Sequence, residues 1–138
     1  MYKKIVLLRC NGTSMFPLLK EGTLSIVQKT NKIRLFDVCA FKTSHFKNFI
    51  LHRAVKIYDD KVIFHGDNSA SFFKCKAGFE LVPKNNVKGR IIGIIRKEKK
   101  IEGVKFMVLS FLSLVYGGVK VTPFLMKTYF DKFLTKKE

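Results

Sequence analysis

Through the first hundred residues, apolar and polar positions alternate in short runs. β-Branched and aromatic residues gather in Lys4 to Arg9, Thr23 to Lys29, Asp37 to Thr43, Phe49 to Tyr58, Lys61 to His65, Phe79 to Pro83 and Val87 to Arg96. Gly, Asn, Asp and Pro separate the runs, and the pair Asp59-Asp60 reads as a hairpin turn. Regular short strands without intervening helical periods predict a compact antiparallel sheet system rather than βαβ units. After Lys100 the pattern changes. Phe106 to Val119 is an uncharged run between Lys105 and Lys120, broken near Gly117-Gly118. Thr122-Pro123 then reads as an N-cap and first helical position, and Met126, Tyr129, Phe130, Phe133 and Leu134 follow at helical spacing. The expected architecture is therefore mainly β over residues 1–100, followed by C-terminal helices over 101–138.

Composition adds a constraint. The chain has 138 residues, enough for one domain. It carries a formal charge of +17 yet is 47% hydrophobic, so it is not a disordered basic tail and should be drawn to an anionic surface. Of the 27 Lys+Arg, 21 lie in residues 1–100, so the most basic part is not the most apolar part. Cys10, Cys39 and Cys75 lack CxxC spacing and a matching His pattern, and they read as reduced thiols. Neither a metal nor a cofactor is implied. The run Ile5 to Leu8 is too short for a secretory signal. As a helix, Phe106 to Val119 would reach about 21 Å, short of a hydrocarbon core of about 30 Å. An in-plane segment with snorkelling lysines fits better, and the expected location is the cytoplasmic face of a membrane.

Chemistry enters with Gly12-Thr13-Ser14-Met15-Phe16-Pro17, where a strand ends, a glycine turns the chain and a hydroxyl follows on a loop. Four more segments follow in order: Phe36-Asp37-Val38, His52-Arg53, Gly66-Asp67-Asn68, and Val87 to Gly93. In this order they resemble the type I signal peptidase superfamily, which includes the self-cleaving SOS-repressor-like proteases. Ser14-Met15 with Pro17 matches the nucleophile box, and Phe36-Asp37-Val38 is similar to a Gly-Asp-Val strand with Phe in place of Gly. His52-Arg53 matches the box that holds Lys in bacterial signal peptidases and His in the endoplasmic-reticulum and archaeal type. The likeness covers about residues 5 to 95 and implies a compact antiparallel signal-peptidase-like β-fold.

The residue types carry their own logic. A serine hydroxyl needs a neighbouring base, and His serves near neutral pH where Lys would first have to be desolvated. Ser14 and His52 are the expected pair, and the resemblance offers Asp67 as the acid completing a triad; a Ser-His dyad stays open. Signal peptidases of the reticulum type carry a further acid after Gly-Asp-Asn, and Ser69 to Ala77 contains none. Gly12, Thr13, Met15, Pro17 and Arg53 are expected to shape the oxyanion and substrate surroundings, Arg53 by orienting substrate or pairing with a carboxylate. His45 and His65 read as surface or turn residues. The expected function is a serine endopeptidase acting on a peptide or leader-bearing precursor near a membrane surface. The alternative is an inactive module of the same fold that binds anionic lipid or an acidic peptide. A nucleic-acid partner is not expected, because only 13 residues precede Ser14 and leave no room for a helix-turn-helix domain.

Overall fold

The computed structural model describes residues 4–68 and 79–116. The protein is mainly β: the described residues form eight antiparallel strands and one long helix near their C-terminal end. The strands are β1 (Ile5–Arg9), β2 (Leu24–Gln28), β3 (Val38–Phe41), β4 (Ile50–Ile57), β5 (Lys61–His65), β6 (Phe79–Pro83), β7 (Val87–Arg96) and β8 (Lys99–Glu102). Helix α1 covers 103–116. Seven strands fall within a residue or two of the sequence expectation. The eighth, Lys99-Lys100-Ile101-Glu102, has no apolar alternation and straddles the expected boundary at residue 100. It exists because Lys97 and Glu98 both adopt positive φ (47° and 64°), closing a two-residue turn between paired Arg96 and Lys99. Both signs match a type I′ hairpin, although neither residue is the Asn or Gly that usually marks one. The expected helix starting at Thr122-Pro123, the break at Gly117-Gly118 and Cys75 lie outside the described residues.

The strand order is β1-β2-β7-β3-β4-β5-β6. Ten-residue β7 joins the two halves. It pairs with β2 along one edge, while β3 and β8 occupy successive stretches of the other. Gly89 permits this crossing, since a Cβ there would sit 2.1 Å from the Gln28 carbonyl oxygen. At the opposite end of the order, β4 and β5 form a hairpin around Asp59-Asp60, closed by Tyr58 N–H donating to the Lys61 carbonyl at 2.8 Å.

Central strands are buried on both faces, edge strand β1 on one. In β1 the pattern alternates, with Val6 and Leu8 half-buried and Ile5, Leu7 and Arg9 exposed. β3 is buried throughout, and its side chains go alternately to two clusters. Val38 and Ala40 join Leu51, Val27, Ile91, Ile94 and Phe106 of α1. Cys39 and Phe41 join Ala54, Val62, Phe64 and Val82, with Phe41 and Phe64 stacked at 4.3 Å between ring centroids. Each such ring withdrawn from water contributes roughly 1.5–3 kcal/mol. This two-sided burial of β4 makes neighbouring residues on it point into different environments, which builds the site.

Candidate active site

The β1–β2 connection, residues 10–23, carries Ser14. Its base is held as a continued hairpin, with Cys10 N–H donating to Thr23 O at 2.8 Å and Gly22 N–H to Cys10 O at 2.9 Å. Gly12 takes a φ of 92°, a conformation open to glycine at little cost. Met15, Leu18 and Leu19 plunge into the core from the same loop, while Gly12, Thr13 and Ser14 remain exposed. Arg96 of β7 clamps the far side, its guanidinium donating to Leu18 O at 2.7 Å and to Pro17 O at 3.4 Å. Pro17 is half-buried on this loop, and Met15, 1% exposed, anchors the loop in the core without facing a channel.

His52 faces this serine from β4. Its Nε2 lies 2.9 Å from Ser14 Oγ, and its Nδ1 lies 2.8 Å from Glu80 Oε2. His52 is 7% exposed, and the Phe41 ring meets its edge at 6.2 Å between centroids. Glu80 arrives from β6, two strands away. Residues 52 and 54 share a face of β4, Ala54 pairs with Phe64 of β5, and Phe64 pairs with Glu80 of β6. The register thus brings the carboxylate over the intervening strand to the imidazole.

Asp67 does not take the role expected of it. Its carboxylate is buried on the other side of β4, receiving Arg53 Nε at 2.8 Å, Arg53 Nη2 at 2.6 Å and the Ser113 hydroxyl at 2.5 Å. The physical reason is alternation: His52 and Arg53 are neighbours in a strand, so they point to opposite faces. Arg53, 2% exposed, takes the second of its two expected roles, pairing with a carboxylate, and does not line a substrate surface. All five guanidinium N–H groups are engaged, the remaining three with Phe36 O, Ser110 Oγ and Ser110 O. The Gly66-Asp67-Asn68 segment serves the Ser14 loop as a bracket. Asn68 N–H donates to Ser14 O at 2.7 Å, its side-chain amide donates to Thr13 O at 3.1 Å, and Asp67 N–H reaches Met15 Sδ at 3.4 Å.

Two further residues were misjudged or missed from sequence. Glu80 sits three residues beyond the Ser69 to Ala77 window that lacks an acid, so a wider window would have included it as a candidate. His65, read as a surface or turn residue, is buried beside the Phe79 ring at 4.7 Å. Burial pushes its imidazole down to about 4, helped by neighbouring His52 and opposed by Asp67 and Glu80. His45 is exposed as expected. Burial pushes the Cys10 and Cys39 thiols up, Cys39 strongly, away from thiolate chemistry.

Beside Ser14 opens a cleft of about 580 Å³ between the end of β1 and the β3–β4 connection. Among the described residues, no cluster of His, Cys, Asp and Glu could hold a metal ion. The arrangement can do one kind of chemistry well: move a proton from a solvent-reachable hydroxyl to an imidazole whose far nitrogen is fixed by a carboxylate. A scan against protein-family models and a search of curated proteins each return no match to this chain.

Two outcomes follow from this geometry. Glu80→Gln should lower kcat for hydrolysis of an activated ester by about 10²–10⁴-fold with little change in urea midpoint. Asp67→Asn should do the reverse, costing about 3–5 kcal/mol of stability by leaving the Arg53 charge buried without its counter-ion. Parallel kinetic and urea-unfolding measurements separate the two acids. His65 predicts a pH slope: between about 6.5 and 4 the unfolded imidazole binds a proton that the folded one refuses, so stability falls as pH falls across that window. Urea unfolding should lose on the order of 2–3 kcal/mol there, and His65→Gln should flatten the slope.

Proposed function

We propose that the protein is a serine endopeptidase of the signal-peptidase type that cuts a peptide or leader-bearing precursor beside a membrane surface. The single observation that carries this reading is the line of two hydrogen bonds, Ser14 Oγ to His52 Nε2 and His52 Nδ1 to Glu80. The ordered motifs that resemble the signal peptidase superfamily support it, with Glu80 taking the acid's part.

In the first step Ser14 Oγ bonds to the scissile carbonyl carbon as its proton passes to His52 Nε2. Glu80 accepts a hydrogen bond from Nδ1–H throughout, holding the tautomer that leaves Nε2 free to receive and stabilising the imidazolium. The carbonyl electron pair becomes an oxyanion, stabilised by backbone N–H groups around Ser14 and by the Thr13 hydroxyl. When the C–N bond breaks, His52 returns the proton to the leaving amine. Water then attacks the acyl-Ser14 ester, losing a proton to His52; as the bond from the carbonyl carbon to Ser14 Oγ breaks and the acid product leaves, His52 returns that proton to Oγ. Exposure of Ser14 at a cleft, with His52 and Glu80 behind it, suits a polypeptide substrate.

The membrane part of the reading rests on α1. Its inward side carries Phe106, Ser110 and Ser113, the serines bound to Arg53 and Asp67. Outward, Val104, Met107, Val108, Phe111, Leu112 and Val115 are 47–76% exposed. Lys97, Lys99, Lys100 and Lys105 are exposed at its N-terminal end. Among the described residues no helix is long and apolar enough to cross a membrane. An apolar face with basic neighbours suits in-plane attachment to anionic lipid.

A fluorophosphonate probe should label wild-type protein at Ser14, with labelling abolished by Ser14→Ala and slowed at least about 10³-fold by His52→Ala. Labelling or precursor cleavage that survives Ser14→Ala overturns the mechanism. Separately, wild-type protein should float with vesicles containing anionic lipid, and Met107→Asp with Phe111→Asp should leave it in the soluble fraction. Flotation unaffected by those changes removes α1 as the attachment.

A further inference from the structure

The cleft beside Ser14 has a one-sided electrostatic character that the catalytic residues do not use. Arg9 from the end of β1 and Lys42 and Lys47 from the β3–β4 connection line it, and none of the described residues lining it is acidic. All three are exposed, so their charges face whatever enters. Between them lie apolar surfaces, chiefly Leu8, Phe46 and Phe49. The Phe49 ring holds two ammonium groups in place, Lys42 Nζ at 4.9 Å and Lys88 Nζ at 5.6 Å from its centroid. The nearest catalytic carboxylate, Glu80, is committed to His52. Within the described residues β1 is an edge strand, so its outer backbone groups are available to an extended chain. Leu8 to Asn11 line the cleft, a span of about four extended residues at about 3.3 Å each.

We infer that this cleft selects substrates carrying acidic and apolar side chains within about four residues of the scissile bond. Arg9, Lys42 and Lys47 receive the carboxylates, and Phe46 and Phe49 receive the apolar groups. The inference rests on the serine endopeptidase reading and specifies its substrate class. Exposed cations that each contribute modestly act together in a confined cleft, where they raise both encounter rate and discrimination against cationic or neutral chains. The overall charge of +17 would attract any polyanion, so position must be separated from net charge.

The test is peptide binding to full-chain Ser14→Ala protein by fluorescence anisotropy, comparing a peptide of alternating Asp and Leu with its Asn/Leu counterpart. The acidic peptide should bind at least about tenfold more tightly at low salt, with the preference fading as salt rises. Lys42→Glu with Lys47→Glu should reduce the preference to within about twofold. Lys32→Glu with Lys61→Glu makes the same change in net charge away from the cleft and should keep it. Absence of a preference, equal loss in both double variants, or displacement of the peptide by an oligonucleotide of matched charge at the same concentration would each overturn the inference. Because nothing is cleaved in this assay, its outcome is independent of the probe labelling that tests Ser14 as nucleophile.

Discussion

The bidentate pair between Arg53 and Asp67 is the constraint from which the rest of the structure is organised. Five guanidinium donors are spent on Asp67, Phe36 O and Ser110, and the second carboxylate oxygen also receives Ser113. Such a buried pair contributes little net stability by itself, since desolvation offsets attraction, but it tolerates no missing partner. It joins three regions that are distant in sequence: the turn before β3, the segment after β5, and α1. Through Asp67 and Asn68 it also fixes the Ser14 loop, because the same two residues that close the ion pair and the helix contact donate to Met15, Ser14 and Thr13.

The opposite face of β4 carries the line of Ser14, His52 and Glu80 and is built differently. There the imidazole is framed by aromatic and aliphatic groups, and its polar contacts run in a single line from hydroxyl to carboxylate. Low surrounding polarity strengthens such a line while leaving little alternative for its members. Tyr116, at the far end of α1, meets Phe16 edge-on at 6.3 Å between ring centroids and bonds Asn68. Helix α1 and the loop bearing Ser14 are therefore parts of one packed unit.

Much of the fold could be read from alternation because most strands are bordered by Gly, Asn, Asp or Pro and half or fully buried. β8 could not, since its charged side chains are exposed and its turn uses Lys97-Glu98 against the usual preference. Ser14 and His52 were legible because each lies in a short motif of fixed composition. Glu80 was not, because its approach depends on the pairing of three strands, a relation no local spacing encodes. Asp67 was recognised as belonging to the site and Arg53 as able to pair with a carboxylate, but not that the two pair with each other. Only knowing that Arg53 turns away from His52 reveals that this acid is needed on the other side. His65 misled in the opposite sense: a residue lying just outside the Gly66-Asp67-Asn68 motif proved buried near His52, Asp67 and Glu80.

Adjacent placement of His52 and Arg53 has a consequence for how the chain reaches its final state. In a sheet, a slip of one residue between strands exchanges the two faces of the slipped strand. For β4 that would send the imidazole towards Asp67 and the guanidinium into the apolar cluster around Phe41, Ala54 and Phe64. A misregistered sheet would then contain an unpaired buried cation and would also part His52 from Ser14 and Glu80. Two consecutive side chains on β4 therefore penalise the same misalignment from both faces of the sheet.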